Sequence, residues 1–223
     1  MTTKLEKEPI GGRGTRLPRD QRRIQLLDAA NEVFTSKGYH AAAMDDIADA
    51  AGVSKPVLYQ HFPSKLDLYL ALLDQSCDRL VEIVEEALAS NEDNADRVIA
   101  TVGAFYEFVS SDSGEFRFVF ESDLTGDGAV QQRLARVNDE ISDAIAEVIA
   151  EDTSLPAQQA RLLAVSLVGI AQVSARYWIS GGTSAITLDE AKQLVSSLAW
   201  RGIGGFPLTE HDRAARTSGL AER

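Results

Sequence analysis

Apolar residues recur every three or four positions along most of the chain, which is the period of helices packed on one side. Residues 18–36 place Leu27, Ala30 and Phe34 on one stripe, widened by Leu26 and Val33, and Lys37-Gly38 closes it. Residues 44–51 gather Ile47, Ala48 and Ala51, with Asp45 and Asp46 in the first turn, where the helix dipole favours negative charge. Gly52 supplies a left-handed residue, Val53 fills the angle, Ser54 is placed to cap the next helix and Pro56 sits in its first turn. Leu58 and Phe62, four apart, face inward, so residues 43–62 have the spacing of a helix-turn-helix. Pro63-Ser64 opens a helix over residues 65–89, with Leu66, Tyr69, Leu73, Cys77, Leu80, Val84 and Leu88 on its stripe. Further helices are predicted over 95–111, 129–149, 156–179 and 188–200. Phe116-Arg117-Phe118-Val119-Phe120 alternates like a strand but has no partner strand, so a short helix is expected there. The fold class is all-α with about nine helices. Residues 1–15 read as a flexible arm, 16–64 as a three-helix head, 65–211 as a larger bundle and 212–223 as a frayed tail.

Charge sharpens this division. The 223-residue chain has a formal net charge of −12, the wrong sign for a phosphate-bearing partner. Its distribution is uneven. Residues 1–65 hold ten Lys or Arg against eight Asp or Glu, and the remainder twelve against twenty-six. Five arginines and one aspartate fall between residues 13 and 23. Basic charge is thus gathered at the helix-turn-helix while the body is acidic, which orients the molecule on a polyanion. The single cysteine, Cys77, excludes an intrachain disulfide and is expected as a buried structural thiol. The apolar run 162–173 is broken by Ser166, Gly169 and Gln172 and is too short to span a bilayer. No apolar segment near the N-terminus reads as a secretory signal. A soluble, cytoplasmic protein that engages no membrane is expected.

The segment IADAAGVSKPVLYQHFPSKLDLYLAL has an apolar-Tyr-x-His-Phe helix followed by a Lys that opens the next helix. It resembles the N-terminal domain of TetR-type transcriptional regulators. The blocks RLPRDQRR, FRFVFESDL, ARYWIS and AWRGIGGFPLT further resemble the actinobacterial FasR-type regulators of fatty-acid synthesis genes. The resemblance implies a TetR-like fold, a double-stranded DNA operator, a lipid-like effector and no cofactor. Carried onto matching positions, Lys55 suits a guanine edge or a phosphate, Gln60 an adenine edge, and Val57 or Pro56 a thymine methyl. Tyr59, His61 and Lys65 suit phosphates, beside Ser54 at the start of the recognition helix. Arg19, Arg22 and Arg23 are expected on phosphates, and Arg16 in the minor groove. Met44 stands where the family often has a phosphate-binding Thr; a thioether cannot donate that bond.

One recognition helix makes too little contact, so a homodimer is expected, with half-sites roughly 34 Å apart or a multiple of that. The helix at 156–179 is apolar on all sides at its centre and so is expected to be covered on both. Tyr177, Trp178, Leu194, Leu198 and Trp200 are candidate dimer anchors, with core packing as the alternative for each. Five of the eight phenylalanines lie between residues 105 and 120. An apolar tunnel lined by Leu73, Phe105, Phe108, Phe116, Phe120, Val137, Val168 and Gln172 is the functional reading of them, and a packed core is the plain one. The FasR-type resemblance implies a long-chain acyl-CoA in that tunnel. At about 0.8 kcal/mol per buried methylene, a sixteen-carbon chain gains about 10 kcal/mol gross. Its headgroup is expected near solvent beside Arg133 or Arg136. Binding would displace the sixth and seventh helices, tilt the fourth and respace the recognition helices.

Rival classes are weaker. His40, His61 and His211 are far apart, no Cys or His pair has metal spacing, and no glycine-rich phosphate loop follows a strand, so an enzyme is not expected. A TetR-type repressor of efflux genes released by an apolar or cationic compound is the alternative, with Glu107, Glu115, Glu121 and Asp123 near the aromatics. A helical scaffold without DNA binding conflicts with the arginine cluster and the intact recognition helix.

Overall fold

The computed structural model describes residues 17–111, 114–120, 124, 126–153, 155–182 and 186–202. The proposed arm, Arg16, Glu121, Asp123, His211 and the tail lie outside the described residues, as does the side chain of Phe116. Among the described residues every regular element is helical: α1 (Arg19–Ala41), α2 (Met44–Ala50), α3 (Lys55–His61), α4 (Lys65–Ala89), α5 (Asn94–Ser110), α6 (Glu115–Phe120), α7 (Gly128–Thr153), α8 (Ala157–Tyr177) and α9 (Leu188–Arg201), with a π-helical turn at Trp178–Gly182. Three expected boundaries move. Helix α1 resumes beyond left-handed Gly38 (φ 75°), where it was expected to close, and ends at Ala41. Helix α7 runs on to Thr153, and the predicted end of α8 is replaced by the π turn, closed by left-handed Gly181.

The head folds as its local chemistry dictates. Helix α2 ends in a Schellman motif: Val53 N–H bonds Ala48 O at 3.0 Å, and Gly52 N–H bonds Asp49 O at 3.0 Å. Gly52 takes the required left-handed conformation, φ 63°. Ser64 accepts a hydrogen bond from Asp67 N and so caps α4 as expected. Ser54 stands at the N-cap of α3, but its hydroxyl makes no capping bond there. Leu26, Ala30, Ile47, Leu58 and Phe62 close the three-helix core.

Helix α4 is the shared beam. It packs on α1 and α6 at one end and on α5 and α7 beyond. That double cover widens its buried arc to Leu68, Tyr69, Leu72, Leu73, Cys77, Leu80 and Val84, whereas Leu66 and Leu88 of the expected stripe are only half-buried. Burial pushes the Cys77 thiol up to about 12, so it stays protonated and packs as a small apolar group. Arg133 pairs with Asp74 at 2.7 Å and Arg136 with Asp78 at 3.0 Å, fastening α7 to α4.

Head and body meet in an aromatic cluster. Tyr69 lies 5.5 Å from Phe34, 5.1 Å from Tyr39 and 5.3 Å from Phe118, ring centre to ring centre. Arg117 of α6 donates to Thr35 O of α1 at 3.0 Å. Gly114, at φ 76°, lets α6 approach this closely, because a Cβ there would stand 2.5 Å from Thr35 Oγ1. Gly114→Ala is therefore expected to destabilise by about 1–3 kcal/mol. Gly103→Ala, a helical site whose Cβ meets nothing within 4 Å, should instead raise stability by a few tenths to about 1 kcal/mol. Thermal unfolding of both variants checks the pair.

Candidate DNA-reading face and effector cavity

The outward side of α3 presents Ser54, Lys55, Pro56, Tyr59 and Gln60 to solvent, with Val57 and His61 half-buried at its margin. Lys55 Nζ pairs with Asp45 Oδ2 at 2.5 Å, an exposed bond that a base or phosphate can exchange. Arg22 donates to Gln25 Oε1 at 2.7 Å, and Gln25 in turn donates to Ala51 O at 2.8 Å, which ties the start of α1 to the turn. The Arg23 guanidinium lies over the Phe62 ring, 4.7 Å from its centre. Burial, and then the charges of Arg19, Arg23 and Arg22, hold the His61 pKa below the usual histidine value. Its ring is thus neutral near pH 7 and offers one N–H donor. Arg19 belongs to this basic ridge, its spacing from Arg22 and Arg23 putting it on the same helical face.

Two residues expected at the DNA do something else. Met44 is 8% exposed and packs in the head core, so it offers no face to a phosphate. Lys65 Nζ donates to Tyr39 O at 2.7 Å, Ala42 O at 2.9 Å and His40 O at 3.4 Å, and lies over the Tyr39 ring. All three of its donors are taken by carbonyls at the end of α1, where a cation also meets the negative helix end. Lys65 is a structural tie between α1 and α4.

The body contains a cavity of about 480 Å³ between α4, α5, α7, α8 and α9, within the ~300–1,000 Å³ typical of small-molecule sites. Its wall is mainly aliphatic: Val84 and Leu88 from α4, Val98 and Val102 from α5, Ile141 and Ile145 from α7, Leu167 and Val168 from α8. Asp152, Thr153, Leu163, Ser166 and Trp200 are wall residues exposed to solvent and mark its open side. Arg97 stands there, bonded to Asn91 O at 2.7 Å and paired with Asp152 at 3.1 Å.

Of the residues expected to line a tunnel, Phe105, Val168 and Gln172 do so. Leu73, Phe108 and Val137 are fully packed in the core instead. Phe120 stands behind the wall, edge-on to Phe105 at 5.7 Å. The aromatic richness of 105–120 mostly builds the joint and the core, because rings fill irregular gaps between crossing helices. Arg133 and Arg136 are held by Asp74 and Asp78 and lie outside the wall, so the cation at the cavity is Arg97. A second cavity of about 320 Å³ adjoins the aromatic joint, lined by Phe34, Tyr39, Tyr69, Arg117 and neighbours.

Among the expected dimer anchors, Tyr177, Leu194, Leu198 and Trp200 are exposed. Trp178 is different: it is half-buried, donates to Ile186 O at 2.9 Å and packs on Tyr106 at 5.9 Å, so it holds the turn between α8 and α9. Helix α8 also leaves Leu162 (68% exposed), Val165 and Val173 (70%) uncovered. Continued through the π turn to Gly181, the span Ala157–Gly181 is long and apolar enough on length and composition to cross a membrane, although the shorter run 162–173 is not. Its inner side packs on α7, with Arg161 paired to Asp139 and Asp143 and Gln172 bonded to Asn138.

Comparison with known proteins agrees with this architecture. Residues 26–72 match bacterial regulatory proteins of the tetR family, and residues 95–202 match tetracycline-repressor-like C-terminal domains. The HTH-type transcriptional activator FasR of Mycolicibacterium smegmatis is 48% identical over 206 residues, spanning 92% of this chain and 94% of the relative. A TetR-like transcriptional regulator from Rhodococcus sp. RHA1 superposes with a TM-score of 0.63 at 31% identity, covering 86% of this chain and 100% of that one. FadR of Bacillus subtilis, solved in complex with stearoyl-CoA, shares the fold at a TM-score of 0.65 and 20% identity, covering 81% and 98%. With its helix-turn-helix head and helical body, this chain belongs to the TetR family of bacterial regulatory proteins, DNA-binding regulators of transcription.

Proposed function

We propose that this regulator is a FasR-like homodimer that controls fatty-acid synthesis genes and releases its operator when a long-chain acyl-CoA fills the cavity. One observation carries the reading: α4 runs from the head, where Lys65 grips the end of α1, to the cavity, where Val84 and Leu88 form wall. What occupies the cavity therefore bears on the beam that positions the DNA-reading helix. The acyl chain lies among the aliphatic wall residues, and the headgroup stays at the open side near Arg97. Helix α6 is not part of the wall. It is reached through Phe105 and Phe120, so α5 and α7 move first and α6 follows. Two global states with unequal ligand affinity are needed for this coupling. A ligand made by the controlled pathway gives feedback when it releases an activator.

On the DNA, Lys55, Tyr59 and Gln60 read or clamp the major groove, and Arg19, Arg22, Arg23 and His61 hold the backbone. Removing Arg22 or Arg23 should lower the slope of log K against log salt by about 0.9 for each phosphate that is no longer neutralised. The weakening should be similar on every sequence tested, which operator titrations across salt would show. The exposed stripe Leu162, Val165 and Val173, with Leu194 and Leu198, is covered by a second copy rather than by lipid, and the protein works in the cytoplasm, where the DNA is. The efflux-repressor alternative has less support. Glu107 is paired with Lys192 at 2.5 Å, and the wall carboxylate Asp152 is already matched by Arg97, so no described wall charge is left for a cation. Native mass spectrometry of the purified protein tests the proposal. A dimer carrying acyl-CoA mass is expected, and a ligand-free monomer would contradict it.

A further inference from the structure

Thr101 forms part of the cavity wall, and its hydroxyl oxygen is buried with no hydrogen-bond partner among the described residues. This is unusual in this molecule. Several helical serines return the hydroxyl to the carbonyl four residues back: Ser76 to Leu72 at 2.9 Å, Ser166 to Leu162 at 2.8 Å, Ser174 to Ile170 at 2.6 Å and Ser196 to Lys192 at 2.7 Å. Ser36 and Ser110 bond the carbonyl three back, and Thr35 bonds Asn31 Oδ1. Thr101 makes none of these bonds. On α5 its wall neighbours Val98, Val102 and Phe105 are apolar, and Arg97 one turn away is engaged by Asn91 O and Asp152. A buried polar group left unmatched asks for an explanation, and a ligand atom is one.

Position says which atom. Arg97, Thr101 and Phe105 succeed one another at four-residue steps along one face of α5, about 6 Å per step. Along this face of α5, charge thus lies at the open side, a single hydroxyl one turn inward and an apolar ring beyond. A long-chain acyl thioester has the same order: a charged head, one carbonyl oxygen, then methylenes. A threonine in a helix has two accessible χ1 wells, so its hydroxyl and methyl can exchange places when a ligand arrives. We propose that Thr101 is the positioning residue of the effector site, donating its hydroxyl proton to the acyl carbonyl oxygen. That bond fixes where the head ends and how deep the chain reaches, and leaves the empty site with an unmet donor. The inference rests on the acyl-CoA reading above.

The test compares palmitoyl-CoA with S-hexadecyl-CoA, a thioether of equal chain length that lacks the carbonyl. Affinities are measured by calorimetric titration of the full-chain protein. The wild type should prefer palmitoyl-CoA by about 5-fold, the worth of one neutral hydrogen bond. Thr101→Val, equal in shape, should bind the two probes alike, and Thr101→Ser should keep most of the preference. Without ligand, Thr101→Val should melt at or above the wild type, because it removes an unpartnered buried hydroxyl. If Thr101→Val keeps the preference, or melts below the wild type, the inference falls. If the wild type binds both probes equally well, the inference falls while the acyl-CoA reading stands. If the wild type binds neither, that reading fails and takes the inference with it.

Discussion

Leu162→Asp combined with Val173→Asp is expected to turn the protein into a folded monomer that binds its operator at least about a thousand-fold more weakly. Both side chains are more than two-thirds exposed on α8, and eleven residues apart they share one helical face. In the isolated chain their replacement touches little, so the helical spectrum and melting should stay close to the wild type. In the proposed dimer the same positions face a second copy, and four buried carboxylates without partners would prevent association. A monomer contacts one half-site only and keeps little beyond the salt-dependent, sequence-independent attraction, which specific binding typically exceeds by about 10³ or more. Analytical ultracentrifugation and operator titration on one sample would check both parts. A variant that stayed dimeric would move the interface elsewhere.

Val168→Trp is expected to abolish the response to palmitoyl-CoA while leaving operator binding intact. Val168 lies in the wall from α8 and is only half-buried, so the larger ring can extend into the cavity of about 480 Å³ without displacing the core. If the ring denies space to about six methylenes, the loss is about 5 kcal/mol, which is more than a thousand-fold in affinity. The operator is read 20 or more residues away along α4, and the head core shares no residue with the wall. Equal palmitoyl-CoA affinity in wild type and variant, by calorimetry, would place the ligand elsewhere.

The head was legible in the sequence because each of its signals is local. Asp45 and Asp46 at a helix start, Gly52 at its end and Leu58 with Phe62 four apart require no knowledge of distant contacts. Lys65 and Met44 show where local reasoning stops. A lysine that opens a helix looks like a phosphate ligand until α1 folds back and offers it three carbonyls. The cavity was harder still. Phenylalanine density marked residues 105–120, but which faces meet across α4, α5, α7 and α8 depends on crossing angles that spacing does not encode. Aliphatic residues such as Val98, Ile145 and Leu167 line it without any compositional signature. Arg97 and Thr101 belong to no motif or charge run on α5 that marks them in the sequence. Only the partnerless hydroxyl and the Asp152 pairing distinguish them.

The proposed coupling lets acyl chains in the body change how tightly the head holds DNA. It is tested most directly by titrating palmitoyl-CoA into the full-chain protein bound to a fluorescent operator duplex, selected from a random-sequence pool, at fixed salt. Release of the duplex is expected at a concentration matching the calorimetric affinity, with Val168→Trp remaining bound throughout. A wild-type complex that holds its operator unchanged at saturating palmitoyl-CoA would contradict it.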